Sequence, residues 1–322
     1  MNQYTPRELA DKLKDGLLSF PVTAFDQDLL FDESAYRQHL AWQASYPVAG
    51  LFAAGGTGEG FSLTPEETAT VVAAAVDEVA GRVPVLAPAA GNTAQAVRNA
   101  ADASAAGAEG LLLLPPYLTE CDQEGLLAHA SAVCQATDLG VIAYNRANAI
   151  YSAATIARLA ERHENFIGFK DGVGDIEHLT KVYATNGDRL FYLGGLPTAE
   201  TFALPLLQLG MSTYSSAMYN FVPEFALEFY ADVRAQDRAA VTDKLNRFVL
   251  PYIEIRDRVK GYGVSIVKGG LKAVGRDAGG VRPPLQDLTE TDLADLTALI
   301  DALPTGADQG DRPGRHAVPA AG

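Results

Sequence analysis

The sequence predicts an α/β protein, a closed (β/α)8 barrel of the TIM type with a C-terminal helical appendage. Three observations carry this. Eight short apolar runs recur at a regular beat, over 17–23, 49–54, 83–88, 110–115, 141–144, 166–170, 190–193 and 211–215. Each of the first seven leads into a segment with helical patterning, and alternating strands and helices imply parallel pairing with crossovers. The runs are apolar throughout rather than alternating, as expected of strands covered on both faces. The rival is an open doubly wound sheet, but no GxGxxG follows the first run.

The elements follow in order. The N-terminal stretch MNQYTPRELADKLKDG is polar and charged, without the apolar centre of a signal peptide, so a cytoplasmic protein is expected. No window approaches the length of a membrane span. The second run flows into GGTGEG at 55–60. A helix over 64–79 follows, with Thr64 as cap, Pro65 in the first helical position and Glu66 and Glu67 in the first turn. Further helices are predicted over 93–106, 123–137, 153–163 and 198–209, with Gly107, Gly140 and Gly210 placed as C-terminal glycines. After the eighth run come helical segments at 223–235, 238–260, 264–274 and 290–303, with a turn-rich connector at 276–288. Residues 1–235 are therefore expected to form the barrel with an N-terminal extension, and 236–303 a helical region packed on it. The Gly/Pro/Ala-rich 304–322 is expected to be a disordered tail.

The bulk numbers narrow the function. The chain has 322 residues, 48% of them hydrophobic, with mean hydropathy +0.02, which suits a sizeable core. A net charge of −15 argues against a nucleic-acid binder, which needs a basic face. It leaves open a local pocket of the opposite sign. Two cysteines, Cys121 and Cys134, make no disulfide framework and read as reduced thiols. None of His39, His129, His163, His178 and His316 stands in an HxH or HExxH spacing, so there is no metal-site signature.

In a barrel of this kind the chemistry sits at the C-terminal ends of the strands. Those ends carry Thr23, the 55–59 loop, Tyr117, Tyr144-Asn145-Arg146, Lys170, Gly194-Gly195 and Ser215-Ser216. Lys170 closes a run as apolar as Phe166, Ile167, Gly168 and Phe169. Alone it would read as the solvated end of a strand. Convergence of these groups on one mouth favours chemistry instead. A buried amine loses basicity, and a neutral amine can attack a ketone to form an imine. That imine is an electron sink, so neither a metal nor an organic cofactor is needed. Tyr144, on the neighbouring strand end, is placed to shuttle protons, the alternative being a packed rim tyrosine. GGTGEG lacks the Lys-Ser/Thr of a phosphate loop. It reads as a backbone cradle for a carboxylate, with Gly56 and the Thr57 hydroxyl, or else as a tight turn that needs glycine. Glu59 reads as holding that loop. Arg146 offers a fork matched to a carboxylate or to a surface ion pair, and Asn148 stands beside it.

The set GGTGE at 55–59, Tyr117, YN at 144–145 and GFKD at 168–171 resembles the dihydrodipicolinate synthase / N-acetylneuraminate lyase family of class I aldolase-type barrels, over residues 13–303. The resemblance implies that Lys170 forms the imine, that Tyr144 is the proton shuttle, and that Gly56 and Thr57 bind the carboxylate of a 2-oxo acid. Within the family, GLLSFPVTAF at 16–25, LFAAGGTGEGFSLT at 51–64 and YNRANA at 144–149 resemble a branch that dehydrates and decarboxylates a keto sugar acid. Two departures separate it from the synthase branch. Gly56 stands where a relay threonine is usual, and Arg146-Ala147-Asn148-Ala149 replaces a Val-Pro-Gly-Arg stretch. Arg146 and Asn148 are then expected on the hydroxylated end of the substrate, Tyr117 in a proton relay, and Gly195 and Ser216 on the substrate side, with Ser215 and Asn220 nearby. The implied protein uses no cofactor beyond a covalent imine on Lys170, takes a small sugar acid, binds neither nucleic acid nor membrane, and assembles as a homotetramer or homodimer. The alternatives are a sister 2-oxo-acid aldolase or synthase, and a sugar-acid binding protein without activity.

Overall fold

A computed structural model describes residues 3–116 and 120–304. Among them eight parallel strands pair in sequence order: β1 Leu18–Ser19, β2 Gly50–Phe52, β3 Val85–Ala89, β4 Gly110–Leu113, β5 Gly140–Asn145, β6 Phe166–Asp171, β7 Phe191–Gly194 and β8 Thr213–Tyr214. A parallel bridge between Leu18 and Ser215 closes the ring. The expected barrel is the observed one. Its first strand is shorter than the apolar run because Pro21 has no N–H to give to a ladder. The Asn220 side chain serves this stretch instead: its Oδ1 accepts from Val22 N at 3.1 Å and its Nδ2 donates to Phe20 O at 3.1 Å.

Each strand returns through a helix: α2 Glu33–Gln43, α3 Pro65–Val79, α4 Thr93–Ala106, α5 Gln123–Gln135, α6 Ala153–Arg162, α7 Ile176–Asn186, α8 Glu200–Leu207 and α9 Pro223–Arg234. At α3 the Thr64 side chain accepts from Glu67 N and Glu67 reaches back, a full capping box behind Pro65. Gly107 ends α4 in the left-handed region at φ 85°. Gly140 has a different role from the helix cap expected of it. The helix stops at Gln135, with Ala136 as its cap, and Gly140 opens β5, where a Cβ would meet Ile167 Cδ1 at 2.5 Å.

Leu9 Cδ2 also comes within 3.3 Å of that point, and it belongs to an element the apolar pattern did not suggest. Helix α1, Pro6–Leu13, is capped by Thr5 and Glu8 and buries Leu9, Ala10 and Leu13. These side chains join Leu18, Phe20, Phe52, Leu86, Leu112 and Ile142 in the core inside the barrel. Leu9 and Leu13 press on the strand starts at Gly110 and Gly50, where a Cβ would lie within 2.7 Å of a leucine methyl. Each buried leucine contributes about 2 kcal/mol. The helix plugs the lower end of the barrel and leaves the upper end as the site of chemistry.

After the barrel come α10 Arg238–Lys244, α11 Leu250–Arg256, α12 Tyr262–Ala273 and α13 Glu290–Asp301. The single helix expected over 238–260 is interrupted by a π-helical turn at Leu245–Val249 and ends at Arg256. Pro251 lacks the N–H that a regular α-turn needs there. The 276–288 connector returns to the barrel mouth, where Phe25 N donates to Ala278 O at 3.0 Å. Most of the segment expected to be a tail, 305–322, lies outside the described residues. Among the described residues no helix is long and apolar enough to cross a membrane.

Candidate active site

Strand register brings the site together. Tyr144 on β5 is the ladder partner of Lys170 on β6, which in turn pairs with Leu193 on β7. Residues paired in this way project to one face, and Tyr144 and Leu193 belong to the interior core, so Lys170 points into the barrel mouth. It is only 4% exposed. Its amine lies 3.7 Å from the centroid of the Phe20 ring and 4.5 Å from that of Tyr144. No carboxylate pairs with it among the described residues. Burial, then the nearby charge of Arg146, hold its pKa well below the ordinary lysine value.

The neighbouring acid is spent elsewhere. Asp171 accepts from Asn145 Nδ2 at 2.9 Å and from Gly174 N at 2.8 Å, and Asn145 Oδ1 accepts from Tyr151 N at 3.0 Å. This buried pair fixes the ends of β5 and β6 without lending a charge to the lysine. Glycines then make room. A Cβ at Gly195 would collide with the Lys170 stem, and one at Gly172 would lie 2.7 Å from the Tyr144 ring. Gly195 thus does two things at the mouth: it clears space for the lysine, and its carbonyl accepts from the Tyr144 hydroxyl at 3.0 Å.

Arg146 Nη1 donates to that same hydroxyl at 3.0 Å. Tyr144 is buried, which raises its pKa, while Arg146 opposes the rise. Arg146 itself is exposed and makes no ion pair among the described residues. Its tight turn is closed by paired bonds between Arg146 and Ala149, with Ala147 at φ 53°. Asn148 Nδ2 donates to Pro116 O at 2.7 Å, tying this turn to the exit of β4. Tyr117, the candidate relay tyrosine, lies outside the described residues.

On the opposite wall is the GGTGEG loop. Thr23 Oγ1 donates to Gly58 O at 2.6 Å and clamps it from below. A Cβ at Gly58 would lie 2.9 Å from Pro21 O, whereas one at Gly56 meets nothing within 4 Å. Gly56 is exposed and Thr57 half-buried, and neither backbone N–H has an acceptor among the described residues. Two adjacent amides without an acceptor, on the loop that leaves β2, suit an anion. Glu59, at φ 53°, holds the loop as its position suggested: its Oε1 pairs with Lys268 Nζ at 2.8 Å and its Oε2 accepts from Arg282 N at 2.9 Å.

Strand β8 contributes differently. Ser215 pairs with Leu18, an interior residue, and so stands on the mouth side. Ser216 points the other way, donating to the buried Glu200 at 2.5 Å and accepting from Tyr219 N at 3.3 Å. Asn220 is fully buried and its Oδ1 also accepts from Gln43 Nε2 at 2.9 Å. The alternation of a strand assigns Ser215 to the mouth, a signal that a bare serine pair does not give. Phe20, the floor beneath the lysine, was legible only as core, and the partners of Glu59 were not legible at all.

The comparisons with known proteins agree with this fold. The sequence model of the dihydrodipicolinate synthetase family matches residues 13–303. The chain is 75% identical to the "Probable 5-dehydro-4-deoxyglucarate dehydratase" of Arthrobacter sp. (strain FB24), over 93% of this chain and 99% of the relative. It is 69% identical to the protein of the same name from Corynebacterium glutamicum (strain ATCC 13032), over 95% and 97%. Among solved structures it is similar to YagE, a prophage protein of the dihydrodipicolinic acid synthase family from E. coli K12 in complex with pyruvate, with TM-score 0.80, 26% identity, and coverage of 89% and 97%. With the barrel, the lysine on its sixth strand and the glycine loop on its second, the chain belongs to the dihydrodipicolinate synthetase family.

Proposed function

We propose that the protein is a lyase that converts 5-dehydro-4-deoxyglucarate into 2,5-dioxopentanoate, water and carbon dioxide through an imine on Lys170. The observation that carries the reading is the Lys170 amine itself. It is buried, unpaired with any described carboxylate, and 4.5 Å from the Tyr144 ring. The high-identity relatives named for this reaction support the choice of substrate.

The steps balance. The neutral amine adds to the C5 ketone, and Tyr144 gives its proton to the departing hydroxyl, so that water leaves behind a protonated imine and a Tyr144 phenolate able to take the next proton. The imine acidifies C4, which loses a proton to Tyr144. The resulting enamine expels the C3 hydroxyl as water, with Tyr144 returning the proton. The conjugated imine then accepts the electron pair freed when the C1 carboxylate departs as carbon dioxide. Protonation on carbon, conversion of the C2 enol to an aldehyde, and hydrolysis release the product and the amine. One nitrogen serves both eliminations because both need the same sink.

The binding roles follow the walls of the mouth. The carboxylate beside the ketone sits on the amides of Gly56 and Thr57. Arg146 and Asn148 orient the hydroxylated end, with Gly195 and Ser215 beside it. The reading carries with it a cytoplasmic homodimer or homotetramer with free Cys121 and Cys134 and no added cofactor. The experiment is borohydride reduction of the protein with 5-dehydro-4-deoxyglucarate, followed by peptide mass spectrometry. An adduct on the 165–175 peptide, with released carbon dioxide, is the expected result. Release of pyruvate would point to an aldolase, and substrate binding with no adduct to a mere binder.

A further inference from the structure

The GGTGEG loop is not held by the barrel alone. Glu59 has no exposed surface, and Lys268 is 3% exposed. Lys268 sits on α12, outside the (β/α)8 repeat. Its ammonium pairs with Glu59 at 2.8 Å, donates to Gly280 O at 2.7 Å, and stands 4.2 Å from the Phe25 ring centroid. The connector that follows wraps the same place. Arg282 donates through its backbone N–H to Glu59, and through its guanidinium to Leu29 O and Ser62 O at 2.9 Å. It also pairs with Glu67, the capping residue of α3, at 2.6 Å. Gly279, at φ 75°, lets the connector lie against the backbone of Phe25, where any Cβ would collide.

A buried ion pair is a poor source of stability, because desolvation offsets most of its attraction. Its usefulness lies in fixing geometry, and here the geometry concerns one turn. Glu59 is a non-glycine residue in the left-handed region, and its N–H donates to Gly56 O at 3.1 Å. Anchoring the Glu59 carboxylate therefore sets the turn that carries the amides of 56 and 57.

We infer that Lys268 is a positioning residue of the carboxylate site, acting through Glu59 on the amides of Gly56 and Thr57. The inference rests on the proposed reading of that loop. It makes the C-terminal helices a working part of the mouth, and it confines their effect to ligands that carry a carboxylate beside the ketone.

The test uses the full-length protein and two small ketones, pyruvate and its uncharged analogue pyruvamide. Borohydride trapping on Lys170 is measured against ligand concentration. If wild-type protein traps neither, the imine reading itself has failed. If wild type traps both, Lys268→Met is expected to raise the half-saturating pyruvate concentration at least about tenfold while leaving pyruvamide unmoved, since a small misplacement of a binding group costs on the order of 10²-fold. Glu59→Gln, nearly isosteric, is expected to give the same split and serves if Lys268→Met does not fold. Equal shifts for the two ketones, or no shift for either, would overturn the inference.

Discussion

Lys170 and Tyr144 are ladder partners across β5 and β6, and the amine of one lies 4.5 Å from the ring centroid of the other. The pair shares one burial but differs in its partners. The Tyr144 hydroxyl has Gly195 O and Arg146, whereas among the described residues the lysine amine meets the ring faces of Phe20 and Tyr144. Burial acts on both in the same sense, against charge. It leaves a less basic amine beside a phenol that keeps its proton, which is the state that imine formation requires.

Lys170→Met should separate stability from activity. The imine adduct and turnover are lost. The fold gains about 1–2 kcal/mol, because a buried polar amine gives way to an apolar chain of similar length. Urea unfolding at neutral pH measures the gain. A destabilised variant would mean that the amine is well solvated or paired in the native state.

Arg146→Gln should move the acid limb of kcat/KM upward. Only the neutral amine attacks, so activity rises with pH through the lysine pKa. Burial is the main cause of its depression and the Arg146 charge the second. Removing that charge raises the pKa, and the rising limb shifts to higher pH. At neutral pH the variant should lose on the order of tenfold to a hundredfold in kcat/KM. An unmoved limb, measured from pH 5 to 9, would show that Arg146 does not act on the amine.

The two mouth glycines should respond in opposite ways. Gly195→Ala places a methyl on the Lys170 stem and near Asp171 O, a backbone atom that cannot yield. It should cost roughly 1–3 kcal/mol through overpacking, together with most of the activity. Gly56→Ala points into open space and should unfold within about 0.5 kcal/mol of the wild type. Thermal melts of the two variants side by side check this. A Gly195→Ala protein that melts like wild type would mean that the lysine stem has another path.

Much of this site was legible in the chain because strand ends are local features. Lys170, Tyr144 and the glycine loop each close an apolar run, and a parallel barrel gathers such ends at one mouth. The helix α1 was not legible from apolar periodicity, since eight residues with a mixed surface give little pattern, although its capping box at Thr5 and Glu8 was there to be read. The anchoring of Glu59 was hidden for another reason. Arg282 lies 223 positions away, and nothing local links the two. Ser216 shows a third limit: which of two adjacent hydroxyls faces the mouth depends on register, fixed by the Leu18–Ser215 bridge.

His39 should make stability fall with acid. It is buried behind β1, its Nε2 within 3.0 Å of Asn220 Oδ1 and 2.8 Å of Gln43 Nε2. Burial, with a smaller push from Arg276, lowers its pKa from 6.5 to about 4, against the opposing bond to Asn220. The neutral ring is therefore the native form. Below pH 6.5 the unfolded chain takes up a proton that the folded chain refuses until about pH 4. Stability from this group is complete above the upper value and is lost as pH falls toward the lower one. The loss amounts to roughly 2 kcal/mol by pH 5 and roughly 3 kcal/mol in full, at 1.36 kcal/mol per pKa unit. His39→Gln keeps a hydrogen-bonding side chain but cannot titrate. Urea unfolding of both proteins at pH 7 and pH 5 should show the wild type losing about 2 kcal/mol more than the variant. Parallel losses in the two proteins would mean that His39 takes up its proton without opening the network around Asn220.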